Sequence, residues 1–113
     1  MRTPKEMAAL AVQALEYKKG LEIKVLEMEK VTVLADYFVI CTASSTTHVK
    51  TLADAVEKLL EESGEQLLHR EGYRSGGWVL LDYGGVVVHL FLEETREFYN
   101  LERLWADAKA VEL

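Results

Sequence analysis

The chain has 113 residues, of which 50% are hydrophobic, and its 13 basic and 19 acidic side chains give a formal net charge of −6. This length predicts a single domain over residues 1–113, and no apolar run approaches the roughly 20 residues that cross a bilayer. The acidic balance and the scattered basic residues argue against direct nucleic-acid recognition and favour a basic protein partner. Because a signal-peptide pattern is also missing, we expect a cytoplasmic protein with no membrane partner.

The first predicted elements are a capped helix and a strand. Thr3 and Glu6 have the spacing of a capping box, and Pro4 occupies the first helical position, so a helix begins here. The segment from Leu21 to Met28 alternates apolar and polar residues, which predicts a strand. The alternation changes phase near the end of this segment, and we expect a β-bulge or an edge position there.

The middle of the chain predicts a buried strand followed by a helix. The run from Tyr37 to Cys41 is continuously apolar, as in a central strand covered on both faces, and its cysteine is interpreted as a buried structural thiol. The hydroxyl-rich link from Thr42 to Thr47 precedes an amphipathic helix that ends near Ser63. Because the link lacks the glycines of phosphate-binding loops, we interpret it as a helix cap. A short third strand is predicted from Gln66 to Arg70.

The segment from Trp78 to Leu92 predicts a β-hairpin, because Gly84 and Gly85 separate two β-prone runs. If these glycines form a two-residue loop, Tyr83 faces Val86 and every pair further out follows by counting. One face of the hairpin is then wholly apolar. The opposite face, which we call the hairpin face, mixes aromatic, apolar and charged residues: Trp78, Leu80, Asp82, Val87, His89 and Phe91.

The predicted order of elements is helix, strand, strand, helix, strand, hairpin, helix. The last helix carries apolar residues at helical spacing between Phe98 and Ala108, with Thr95 or Asn100 as its cap. The central strand, the second helix and the third strand predict one parallel crossover, and the hairpin adds antiparallel strands. We therefore expect an α/β (α+β) fold, with a mixed five-stranded sheet and helices packed on it. If the apolar side of the hairpin meets these helices, the hairpin face points outward.

The hairpin face is the predicted functional site. Trp78 and Phe91 form a cross-strand aromatic pair that either fills a core or anchors a protein interface. Four glutamates that follow the hairpin are either a solvated surface or an acidic rim for a basic partner: Glu93, Glu94, Glu97 and Glu102. Catalysis by His89 would need a group within hydrogen-bond reach, and Asp82 lies more than one pair away, so a structural or interface role is favoured. The predicted partner-binding residues are Trp78, Leu80, Asp82, His89, Phe91 and Glu93.

Six segments, spread over nearly the whole chain, match one protein family in the correct order. They are Ala35 to Thr42, His48-Val49 with Leu52 to Asp54, Trp78 to Gly84, Val88 to Phe91, Glu94 to Tyr99 and Leu101 to Trp105. Together they resemble the ribosomal silencing factor family, also called the iojap family. The link from Thr42 to Ser45 departs from the glycine-containing version of that family.

The resemblance implies a fold akin to nucleotidyltransferase cores without their chemistry, and we expect no catalytic residue, cofactor or metal. The histidines (His48, His69, His89) lack metal-ligand spacing. The four aspartates (Asp36, Asp54, Asp82, Asp107) contain no Asp-x-Asp pair for metal and nucleotide.

The family also implies a partner and a role. Its members are understood to bind the large ribosomal subunit through the ribosomal protein numbered fourteen, to block the small subunit, and to lower translation when nutrients are short. A large-subunit assembly adaptor is the alternative. A rival of another class is a nucleotide-dependent transferase that uses the hydroxyl-rich link and His48. A homodimer through another face is compatible with the sequence, which has no heptad or other self-pairing signature.

Overall fold

In this computed structural model the described residues are 3–33, 35–100, 103 and 108–111, with the backbone alone described for 97–99. The helices and strands in these ranges are α1 (Pro4–Tyr17), β1 (Leu21–Glu27), β2 (Tyr37–Ala43), α2 (Thr46–Glu62), β3 (His69–Glu71), β4 (Trp78–Asp82), β5 (Val86–Leu92), α3 (Glu93–Tyr99) and β6 (Lys109–Ala110). No helix of this described part is long and apolar enough to span a membrane.

The strands form one mixed sheet in the order β3-β4-β5-β2-β1-β6. β2 and β5 pair in parallel, whereas the other neighbouring strands are antiparallel. The predicted α/β (α+β) class with a mixed sheet is confirmed. The sheet has six strands rather than the expected five, because Lys109 and Ala110 pair with Glu27 and Leu26 along the outer side of β1.

The crossover that contains α2 leads from the centre of the sheet to its edge. β5 is parallel to β2, and the next two pairings each reverse direction, so β3 runs parallel to β2. β5 and β4 lie between these two strands. The predicted parallel crossover from β2 to β3 is therefore present. The two hairpin strands, β4 and β5, lie between the strands that it connects.

The irregularity in β1 lies at the start of the strand. The pairing with β2 shifts register between Leu21 and Lys24, and Glu22 has a positive φ of 46°. The expectation of a bulge near the end of this segment is wrong, since pairing is regular from Lys24 onward. The change of phase there has another cause: Val25 is buried in one hydrophobic cluster and the next residue, Leu26, is buried in the other.

Side-chain caps begin the first two helices, as predicted. At α1 the Thr3 backbone nitrogen donates to Glu6 Oε1 at 3.0 Å, and the Glu6 backbone nitrogen donates to Thr3 Oγ1 at 3.2 Å, which completes the capping box. At α2 the His48 backbone nitrogen donates to Ser45 Oγ at 3.0 Å. The interpretation of the hydroxyl-rich link as a helix cap is therefore confirmed.

Two hydrophobic clusters lie on opposite faces of the sheet. The larger cluster joins α1 and α2 to the apolar side of the hairpin, where Val79, Leu81, Val88 and Leu90 are fully buried, as predicted. Cys41 is buried in the same cluster, and burial raises the pKa of its thiol to about 12, which confirms a structural thiol. The buried residues of the smaller cluster are Leu26, Met28, Ala35, Phe38, Ile40 and Phe91.

α3 covers only the start of the predicted last helix, and Arg103, a described residue in the middle of that prediction, is also helical. α3 starts at Glu93, and Asn100 ends it in a left-handed conformation with a φ of 44°. Thr95 lies inside this helix, whereas Asn100 Oδ1 accepts a hydrogen bond from the Arg103 backbone nitrogen at 3.2 Å, as a cap of the next turn would. The predicted apolar positions Leu101, Leu104 and Trp105 lie outside the described residues.

We predict that Gly72→Ala destabilises the protein, whereas Gly77→Ala in the same loop is tolerated. Gly72 has a φ of +78°, and a Cβ there would collide with the carbonyl group of Trp78, so we expect a loss of at least about 2 kcal/mol in the free energy of unfolding. A Cβ at Gly77 would meet only Thr95 Oγ1, at 3.6 Å. Urea unfolding measures both variants, and equal stabilities would contradict this account of the loop.

Candidate functional site

The hairpin has the register that its turn predicts. The Tyr83 backbone nitrogen donates to Val86 O at 2.9 Å. Gly84, unlike Gly85, has a positive φ, 88°, as at the first central position of a type II′ turn. Asp82 Oδ1 accepts from the Gly84 backbone nitrogen at 2.7 Å and so holds this turn. The predicted pairs across the hairpin face are confirmed: Trp78 with Phe91, Leu80 with His89 and Asp82 with Val87.

Exposure of the hairpin face falls from the outer strand of the hairpin towards the centre of the sheet. Trp78, Leu80 and Asp82 on β4 are partly exposed, whereas His89 is 4% exposed and Phe91 is fully buried. The expectation that this whole face points outward is therefore wrong for His89 and Phe91, whereas Val87 on the same strand is partly exposed. The accessible part consists of Val87 on β5 and a line of three side chains along β4, Trp78, Leu80 and Asp82, which we call the β4 stripe.

The smaller hydrophobic cluster explains this gradient. The sequence predicted helices as the cover of the apolar side of the hairpin and assigned no cover to the other side. Met28 and Val31, from the connection between β1 and β2, pack with Phe38 and Phe91 on that other side. This cluster covers the two central strands, β2 and β5. The β4 stripe lies at the margin of the covered area, so its side chains stay partly accessible.

Trp78 is the best-supported side chain of the β4 stripe. Its Nε1 donates to His89 Nδ1 at 3.1 Å. Its ring stacks on Phe91, with the centroids 5.1 Å apart and the planes at 28°. Phe38 in turn meets the His89 ring edge-on, with the centroids 4.6 Å apart. A tryptophan whose ring is already held by neighbouring side chains loses little conformational entropy when a partner covers its remaining surface.

His89 orients this tryptophan and stays uncharged. Because Nδ1 accepts the indole N–H, the imidazole carries its proton on Nε2, which has no hydrogen-bond partner in the described part of the chain. Burial lowers the pKa of His89 to about 4. The carboxylate on the same face, that of Asp82, is engaged by the turn. The contacts of His89 are therefore those of a structural support for Trp78.

Acidic side chains lie beside one end of the β4 stripe. The Leu92 backbone nitrogen donates to Gly77 O at 3.1 Å, which brings the start of α3 next to the start of β4. Glu93 and Glu94, at that start, are both exposed. Because neither carboxylate has an internal hydrogen bond or ion pair within the described residues, this exposed pair close to Trp78 can pair with basic groups of a partner. Glu102, another predicted acid of the rim, and the side chain of Glu97 lie outside the described residues.

Sequence reasoning missed the role of Arg96 in α3. This residue is 7% exposed, and its Nη1 donates to Glu22 O at 2.6 Å and to Thr42 Oγ1 at 2.7 Å. It thereby fastens α3, and the exposed glutamates at its start, to β1 and β2. The hydroxyl of Thr42, at the end of a buried strand, indicated a polar contact. No local sequence pattern indicated that its partner would be Arg96, which lies much later in the chain.

The two other histidines have structural contacts. His48 Nδ1 accepts from the Ser44 backbone nitrogen at 3.0 Å, and His48 Nε2 lies 2.9 Å from Lys18 O. Both ring nitrogens are thus engaged, and these contacts favour a structural role over the rival transferase hypothesis. His69 Nε2 lies 3.0 Å from Glu71 Oε1 on exposed β3. The described residues contain no group of three or more His, Cys, Asp or Glu side chains that could hold a metal ion.

We predict that His89 makes the protein less stable as the pH falls from 6.5 towards 4. An imidazole whose pKa is about 4 when folded and near 6.5 when unfolded binds its proton more tightly in the unfolded chain, so its contribution is complete above pH 6.5 and is lost below it. The loss amounts to about 3 kcal/mol at most. Urea unfolding between pH 7 and 4 should show a flatter pH dependence for His89→Gln than for His69→Gln, and parallel curves would refute the assignment.

Comparisons with known proteins agree over nearly the whole chain. A model of the family described as "Ribosomal silencing factor during starvation" matches residues 1–113. A protein named "Ribosomal silencing factor RsfS" from Halalkalibacterium halodurans is 42% identical over 108 residues, which cover 96% of this chain and 92% of that protein. A mouse protein named "Mitochondrial assembly of ribosomal large subunit protein 1" is 32% identical over 99 residues, which cover 85% of this chain and 43% of the mouse protein.

A solved structure shares the fold as well as the sequence. The crystal structure of a protein from Chromobacterium violaceum superimposes with a TM-score of 0.91 at 40% identity, and the match covers 93% of this chain and 88% of that one. The fold and the family match therefore support each other. On this basis the chain belongs to the ribosomal silencing factor family.

Proposed function

We propose that this protein is a translational repressor that binds the large ribosomal subunit and sterically blocks its association with the small subunit when nutrients are limiting. The proposed contact on the large subunit is the ribosomal protein numbered fourteen. Membership of a family named for ribosomal silencing supports the general role. The identity of the contacted protein follows from the family resemblance and is part of the proposal.

The single observation that carries the docking site is the held, partly exposed side chain of Trp78. Tryptophan is the residue type most enriched among interface hot spots, and its partial exposure leaves surface for a partner to bury. The indole is oriented beforehand by His89 and Phe91. We infer that Trp78, Leu80, Asp82 and Glu93 make the contact, whereas the buried His89 and Phe91 support it from behind.

Charge supports the same partner chemistry. The chain has a formal net charge of −6, and exposed Glu93 and Glu94 lie beside the β4 stripe. Ribosomal proteins contact RNA phosphates and are for that reason generally basic. Carboxylates around an apolar anchor would speed the encounter with such a protein and select its orientation.

A role as a large-subunit assembly adaptor is the second candidate. The name of the mouse relative, which refers to assembly of the mitochondrial large subunit, favours it. The same docking site would serve both roles, because each requires binding to the large subunit. Light scattering separates them: the added protein should prevent purified mature subunits from associating if it is a repressor, and should leave their association unchanged if it is an adaptor only.

We predict that Trp78→Ala weakens co-sedimentation with large subunits by about thirtyfold, the loss expected for a hot-spot residue. The matched control is Tyr17→Ala, which removes an aromatic side chain that is 78% exposed on α1, away from the hairpin face. Circular dichroism checks that both variants fold. Wild-type affinity of a folded Trp78→Ala variant would show that the contact lies elsewhere.

Glu93→Lys tests the same site without touching the aromatic cluster. Reversing an exposed charge that faces a basic partner should lower the affinity and change its salt dependence, and the control Glu16→Lys makes the same reversal on α1. Asp82→Lys is a less specific test, because Asp82 also caps the turn through Gly84. Equal affinities of the two lysine variants would contradict the acidic contribution.

A further inference from the structure

A cavity of about 430 Å³ lies between the end of α2 and the turn of the hairpin. Its lining includes Glu57, Glu61, Glu65, Leu67 and Tyr83. The volume is within the range of roughly 300–1,000 Å³ that is usual for small-ligand sites. Tyr83 belongs to the cluster that packs against α1 and α2, so this cavity is separate from the β4 stripe.

The wall of this cavity is acidic. Glu57, Glu61 and Glu65 recur every four residues, which places the first two on one side of α2 and the third just beyond its end. Arg70 Nη1 neutralises Glu57 at 3.0 Å, whereas no basic partner of Glu61 or Glu65 is found in the described ranges. The last turn of α2 holds no basic residue, and the C-terminal end of the helix adds the negative end of the helix dipole. The cavity therefore attracts cations.

The buried hydroxyl of Tyr83, a residue that lines the cavity, supplies an independent observation. Tyr83 is 6% exposed, and its hydroxyl oxygen has no hydrogen-bond partner among the described residues. Burial raises the pKa of Tyr83, and the carboxylates of Glu57 and Glu61 raise it further, which agrees with a hydroxyl that is near the acidic wall. A buried polar group without a partner is costly, so a ligand that supplies one is favoured.

The chemistry of the lining selects the class of ligand. A divalent metal would need several closely spaced ligands, and the described residues offer no group of three His, Cys, Asp or Glu side chains that could hold one. An alkylammonium group instead brings three N–H donors of its own. It can donate to the Tyr83 hydroxyl oxygen and to a carboxylate together, while its methylene chain lies along Leu67.

We propose that this cavity binds an aliphatic polyamine, with one ammonium group between Tyr83 and Glu61 and a second towards Glu65. The ammonium site itself does not depend on the ribosomal role, because the cavity and the β4 stripe share no residue; only the choice of a free polyamine rests on the proposed docking site. A free polyamine is the favoured source of the ammonium group, since this cavity lies apart from the proposed docking site.

Isothermal titration of the full chain with spermidine tests the proposal. We expect saturable binding with one molecule per chain, which weakens as salt is added because the attraction is electrostatic. Tyr83→Phe removes one hydrogen bond and should lower the affinity about fivefold, whereas Tyr17→Phe, the same change on an exposed tyrosine, should not. 1,4-Butanediol, a neutral chain of similar length to putrescine, should not bind.

Glu61→Gln separates a site from general attraction to an acidic protein. It should weaken spermidine binding by more than the matched variant Glu16→Gln, which removes the same charge from the exposed surface of α1. Equal weakening by the two variants, or no saturable binding to the wild-type chain, would overturn the proposal. Both glutamates are exposed, so neither variant is expected to unfold the protein.

Discussion

The parallel pairing of β2 with β5 is the constraint on which the rest of the structure depends. Both strands are covered on both faces, so apolar residues occupy consecutive positions along them rather than alternate ones. The cover is supplied by α1 and α2 on one face and by the smaller hydrophobic cluster on the other. Because β5 is one arm of the hairpin, the burial of its His89 and Phe91 leaves most of the accessible outer face of the hairpin on β4. The position of the proposed docking site follows from this pairing.

The proposed anchor and the smaller cluster are physically continuous. Phe91 is a core residue and also the surface on which Trp78 stacks, while His89 is buried and also accepts the indole hydrogen bond. The core thus holds the Trp78 anchor rigid. The same arrangement buries the Nε2 atom of His89 without a hydrogen-bond partner in the described chain, which costs free energy. A change that loosens this cluster would also release the orientation of Trp78.

The features that could be predicted from the sequence are those with a local cause. A two-residue glycine turn and a side-chain period of two determine the hairpin register, and the capping box at Thr3 needs only neighbouring residues. The burial of Phe91 could not be predicted, because its cover comes from residues such as Met28 that are distant in sequence. The contacts of Arg96 and the sixth strand share this cause, since both depend on how distant segments meet.

The contact between Arg96 and Glu22 joins residues that are 74 positions apart. β2 likewise pairs with β5, which comes much later in the chain. Long-range pairings of this kind must overcome loop-closure entropy before they contribute stability, so they form late. During synthesis β1 and β2 can pair as soon as both have emerged, but the other edge of β2 stays unpaired until Val86–Leu92 leaves the exit tunnel. The nascent chain therefore carries an open, apolar strand edge, a known route to aggregation, while residues 44–92 emerge.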